Sequence, residues 1–168
     1  MKRIFFWLLG MGVFVFLTAT VGFAQQYHIV YSGSDFQGKD STDAYETEWA
    51  GVYATAAEGA LTCGVHFPDS ANGMSVQRVS MSVRDNSDSY FGLVLFKKDR
   101  WTGNLMPVAE LSTFGLPKSS SVQYVNLPKS QMSAYRIDNT RYSWAMLVVF
   151  EQPGANDFLL EQVTIRYY

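Results

Sequence analysis

Two histidines, one cysteine and a scatter of carboxylates are the groups in this chain that could do acid–base, nucleophilic or metal chemistry. His28 and His66 each sit in a stretch of alternating apolar and polar residues, and neither has a partner at metal-ligand spacing. The chain has no Gly-x-Ser-x-Gly elbow and no His-Glu-x-x-His. A Ser-His-Asp triad is not defined by chain order, and no local pattern selects one. Glu46, Glu48, Glu58, Glu110, Glu151 and Glu161 are nominal members of a glycosidase pair. Glu46 and Glu48 fall on one face of an extended segment, which reads as a solvated face. A small exported hydrolase is therefore the third reading, and it requires His28 or His66 to meet a carboxylate or hydroxyl in a cleft.

The acidic stretch from Asp35 to Glu48 is the place for a bound cation. Asp35, Asp40, Asp43 and Glu46 offer hard oxygen ligands to calcium. Their spacing does not match an EF-hand loop, so the alternative is a solvated acidic loop. No motif for any other cofactor is present.

Aromatic side chains give the remaining lead. Trp49, Trp101 and Trp144, with Tyr45, Tyr53, Tyr90, Tyr124 and Tyr142, supply flat apolar faces of the kind that stack on sugar rings. Trp101 stands out because Asp99-Arg100-Trp101-Thr102-Gly103-Asn104 reads as a turn, which exposes what it carries. Trp101, Asn104 and Tyr90 are the candidate ligand-binding residues. Trp144 and most of the tyrosines read as core, since aromatics favour strands.

The elements that must position these residues are strands. Apolar residues recur with period two nearly everywhere after residue 24, punctuated by Gly, Asn, Asp, Ser and Pro clusters. Tyr27 to Tyr31 is the first strand and Trp49 to Ala54 the second. Leu61, Cys63, Val65 and Phe67 form the inward face of a third, which makes lone Cys63 a buried small hydrophobe. A fourth starts near Val76, and a fifth runs from Tyr90 to Lys97 with apolar residues on both faces. Leu105 to Leu111 contains Pro107, which cannot donate to a ladder and so predicts an edge strand. Val122 to Leu127, Tyr142 to Phe150 and Phe158 to Tyr168 complete the set. Eight or nine strands without an amphipathic helix predict a two-layer antiparallel β-sandwich, of jelly-roll or Greek-key topology.

Met1-Lys2-Arg3, an apolar run from Ile4 to Phe16 and a small-x-small site ending at Ala24 read as a secretory signal peptide. Its removal leaves one domain, residues 25–168, secreted or periplasmic and without a membrane anchor. The single cysteine excludes an internal disulfide, so stability must come from the apolar core. Lys2 and Arg3 leave with the leader, taking the formal net charge from −2 to −4. A mildly acidic domain with scattered Lys and Arg excludes nucleic acid as a partner.

Phe67-Pro68-Asp69-Ser70, Val79 to Val83, Asp85-Asn86-Ser87, Leu93 to Lys97, Asp138-Asn139-Thr140-Arg141-Tyr142 and Val163 to Tyr167 recur in order along the second part of the chain. In these elements it resembles a family of secreted bacterial jelly-roll-like β-sandwich domains of unassigned function. Ser70 stands where that pattern has Gly, with Gly73 following later. The resemblance implies a sandwich exported from a bacterium and carries over no catalytic residue. The sequence thus predicts an exported non-catalytic binding module, most concretely for a polysaccharide or cell-surface glycan. A self-associating, homo-oligomeric structural subunit is the alternative.

Overall fold

The computed structural model describes residues 25–38, 45–48, 51–54, 58–151 and 157–168. The leader expected over residues 1–24, Asp40, Asp43, Trp49 and the 152–156 turn lie outside them, and Glu46 is described by its backbone alone.

The described residues form eleven strand segments: β1 (Tyr27–Ser32), β2 (Gln37–Gly38), β3 (Tyr45–Glu48), β4 (Gly51–Ala54), β5 (Glu58–Val65), β6 (Val76–Asp85), β7 (Phe91–Asp99), β8 (Leu105–Ser112), β9 (Ser119–Pro128), β10 (Tyr142–Glu151) and β11 (Phe158–Tyr167). One sheet runs β3-β4-β11-β6-β9, with β1 lying along the C-terminal half of β11. The other runs β2-β5-β10-β7-β8. All the pairings are antiparallel, and the two sheets form the sandwich that the alternation predicts.

The core lies between the sheets and follows the alternation residue by residue. Val79, Met81 and Val83 of β6 and Val163 and Ile165 of β11 come from one sheet. Leu61, Cys63 and Val65 of β5, Phe91, Leu93 and Leu95 of β7, and Trp144, Met146 and Val148 of β10 come from the other. Burial pushes the Cys63 thiol up to about 11, as befits a core hydrophobe that does not react. The opposite face of β7, with Val94 and Phe96, is half-buried.

Two departures from the sequence pattern have local causes. β3 lies in the acidic stretch expected as loop, because it is half of a hairpin: Tyr45 pairs with Ala54 and Glu48 with Gly51. A neighbouring strand that supplies backbone partners makes a strand without needing an apolar face. In β8, which is an edge strand as Pro107 predicts, the register shifts between Ala109 and Pro107. The bulge lets consecutive Val108 and Ala109 both face the core.

Candidate functional site

The chemistry gathers at one end of the sandwich, where β7 ends, β10 begins and the β5–β6 loop crosses. The turn after β7 is built around Asp99, which is 2 % exposed. Its Oδ1 accepts the backbone N–H of Trp101 at 2.8 Å and of Thr102 at 3.1 Å. Its Oδ2 accepts Arg141 Nε–H at 2.9 Å. Gly103, at φ 76°, takes the left-handed conformation that closes the turn, and its N–H donates to the Asp99 carbonyl. The Thr102 N–H, with those of Trp101 and Arg141, holds the Asp99 carboxyl below its usual range against the cost of burial. Trp101 is thereby presented at 82 % exposure on a turn whose backbone is fixed.

The facing wall is the segment from Asp138 to Tyr142. Asp138 Oδ1 accepts the Thr140 hydroxyl and the N–H groups of Thr140 and Arg141, and these bonds lower its pKa, the Thr140 hydroxyl most. Asn139 reaches across to the β5–β6 loop, donating from Nδ2 to the carbonyls of Phe67 and Pro68 and from its backbone N–H to Asn72 Oδ1. The Arg100 N–H donates to the Arg141 carbonyl, tying this wall to the Trp101 turn. A cleft of about 310 Å³ lies here, lined by His66, Asp69, Arg100, Asn139, Ser143, Trp144 and their neighbours.

Two adjoining clefts, of about 490 and 570 Å³, share Gly73, Lys97 and Arg136. Lys97 continues the inward alternation of β7 and pairs across the sheet with Trp144. It is 5 % exposed, its Nζ lying 4.2 Å from the Tyr142 ring centroid and 5.5 Å from that of Trp144. Burial pushes the ammonium below the ordinary lysine range; Asp138 opposes this and Arg141 adds to it. A ring face returns roughly 1–2 kcal/mol to a desolvated cation. Removing an ion from water costs several kcal/mol. The rings therefore compensate this lysine only in part.

The expected site residues are dispersed. Trp101 and Asn104 share the exposed turn, and the Asn104 side-chain amide has no hydrogen-bond partner among the described residues. Tyr90 precedes β7 at its other end, about 30 Å away at the rise of an extended strand. Its ring packs edge-on against Phe114, 6.3 Å between centroids. Asp35 Oδ2 accepts the Ser32 N–H in a capping box on the Gly33–Asp35 turn. The calcium expectation therefore turns on Asp40 and Asp43, outside the described residues, and on a Glu46 side chain that is likewise not described. Among the described residues no three His, Cys, Asp or Glu side chains gather as metal ligands. His28 lies on an exposed face, whereas His66 lines a cleft with Asp69 and Ser143. None of those three side chains is hydrogen-bonded to another, as a nucleophile and its base would be. Neither Lys97 nor Arg136 belongs to a motif that marks it as a site residue. The signal for Lys97 was present, since Phe91, Leu93, Leu95, Lys97 and Asp99 share one parity.

The fold is shared with a xylan-binding module. That module, CBM15, matches with a TM-score of 0.51 at 12% identity over 84% of this chain and 97% of its own. A family 11 carbohydrate-binding module from Clostridium thermocellum, in complex with a β-1,3-1,4-mixed-linked tetrasaccharide, matches at TM-score 0.43 and 9% identity, over 87% of this chain and 91% of its own. A family 30 module of a Clostridium thermocellum cellulase gives 0.38 and 12%, over 84% and 90%. At 12% identity the likeness to the xylan-binding module is one of fold alone. No protein-family model and no curated protein sequence matches the chain. No helix among the described residues is long and apolar enough to cross a membrane.

Proposed function

We propose that this protein is an exported, non-catalytic module that binds carbohydrate at the end of the sandwich where Trp101 stands. The observation that carries the reading is the combination at that turn. An indole left almost wholly in solvent sits on a backbone pinned by a buried carboxylate, one residue from Arg100, which lines a cleft. A ring left exposed on a fixed turn gains nothing from burial on folding, so that gain is available to a ligand that covers it. Sugar rings present apolar faces that stack on indole and hydroxyls that take hydrogen bonds, and Asn104, Asn139 and Ser143 offer polar groups nearby. The two-sheet fold shared with a xylan-binding module supports the architecture of such a binder.

A glycan array followed by calorimetry on the ligands it finds tests this. Trp101→Ala should weaken binding at least about tenfold, the loss expected on truncating an aromatic anchor, with the melting temperature unchanged. Silence across plant and bacterial polysaccharides would sink the reading. Release of reducing ends from any bound glycan would restore the hydrolase alternative.

A further inference from the structure

The sequence has more acids than bases, with a formal net charge of −2, yet the two clefts that share Lys97 and Arg136 are basic. Lys97, Lys129, Arg136 and Arg141 line them, against Asp138 alone. The nearby carboxylates are committed: Asp138 Oδ1 to Thr140 and Arg141, and both oxygens of Asp99 to the turn and to Arg141. Lys97 therefore has no carboxylate within ion-pair distance among the described residues, Asp138 acting on it only through space. It makes no hydrogen bond among the described residues, although it is 5 % exposed and borders both clefts. Lysines buried to that degree are almost always paired. Arg136 likewise has no ion pair among the described residues, and Gly73 leaves its guanidinium room: a Cβ there would stand 3.9 Å from Nη2. The Tyr142 ring, with Lys97 over it, gives the floor an apolar surface.

We propose that this basic cleft receives the carboxylate of a uronic acid residue, so that the polysaccharide the module binds is an anionic one. The inference rests on the carbohydrate reading above and adds the ligand's charge to it. Lys97 and Arg136 supply charge-assisted hydrogen bonds to the carboxylate, which completes the pairing that the fold leaves open.

Calorimetry with oligosaccharides of galacturonate and of mannuronate, each beside its carboxyl-reduced neutral counterpart and beside inorganic phosphate, tests it. The acidic sugars should bind at least about tenfold more tightly than the neutral ones, with the preference shrinking as salt rises. Lys97→Met keeps the volume and removes the charge. Arg136→Ala changes an exposed position and so keeps the test alive if the first variant misfolds. Each should cost the acidic ligand about tenfold and the neutral one little. Equal binding of acidic and neutral sugars overturns the proposal and leaves the carbohydrate reading intact. An acidic preference that survives in both variants overturns the placement in this cleft. Binding of phosphate without any of these sugars, or of no probe at all, overturns the proposal, and the glycan array then decides the carbohydrate reading.

Discussion

Asp99 shows how a single side chain turns sequence into a presented surface. Its parity in β7 carries it inward, and at the strand's end it meets the backbone of the turn rather than the apolar core. Bonds that favour the ionised form lower its pKa, chiefly from Thr102 N–H, and those around Asp138 do the same. Their contribution to stability is therefore complete above the ordinary carboxylate pKa and is lost as pH falls through the lowered folded values. Thermal melts from pH 7 downward should hold steady until about pH 4 and then decline. Asp99→Asn should melt lower than the parent at neutral pH and with a shallower acid limb, Asp138 supplying what remains. An unchanged acid limb would mean that the turn does not depend on this charge. In the same folding unit Trp101 should lose its fixed presentation, so the Asn variant should also bind glycan more weakly at neutral pH.

At the scale of elements, alternation was enough wherever a strand buries one face: β6, β7, β10 and β11 follow it to within a residue or two, and β5 keeps the expected inward face but begins three residues earlier, at Glu58. Pro107 placed β8 at an edge correctly, since the missing donor is physical and local. β2 and β3 escaped because two and four residues hold too little pattern, and their reason for being extended lies in the partner strand. Close approaches between elements escaped for the same reason. Gly33 reads in the sequence as a flexible turn residue, but a Cβ there would stand 1.9 Å from the Leu160 carbonyl oxygen and 2.7 Å from Val52 N. The Gly33–Asp35 turn can settle against β11 and β4 only without a side chain. Gly33→Ala should therefore destabilise the domain by about 3 kcal/mol, as overpacking against backbone does, read by chemical denaturation. A loss under about 0.5 kcal/mol, ordinary for a surface site, would show that the turn does not pack there. The far end of the sandwich is held by a second buried acid. Asp85 of β6 accepts from Ser87 and from the Thr113 hydroxyl, which in turn accepts the Phe91 N–H and so links the two sheets.

For the whole molecule, the topology does what no local pattern announces. It brings Lys97 beside Arg136 and Tyr142, sets His66 in one cleft with Ser143, and sends Tyr90 and Trp101 to opposite ends of β7. It also puts β11 in the middle of its sheet. β11 pairs with β6 along one side, and with β4 and then β1 along the other. Its Phe158, Leu160, Val163, Ile165 and Tyr167 all enter the shared core. Removing it strips the backbone partners from β1, leaves β6 with an unpaired edge and withdraws five apolar side chains. At roughly 1.5–3 kcal/mol for each large side chain buried, that loss is as large as the whole stability of an ordinary domain, about 5–15 kcal/mol. A chain ending at Asp157 should therefore show no cooperative melt and should collect in the insoluble fraction, as measured by calorimetry and by sedimentation after expression. Supplying residues 158–168 as a separate peptide should restore a transition if strand pairing is what was lost. A truncated chain that stays soluble and melts cooperatively would show that the sheet closes without its central strand, and the topology described here would be wrong.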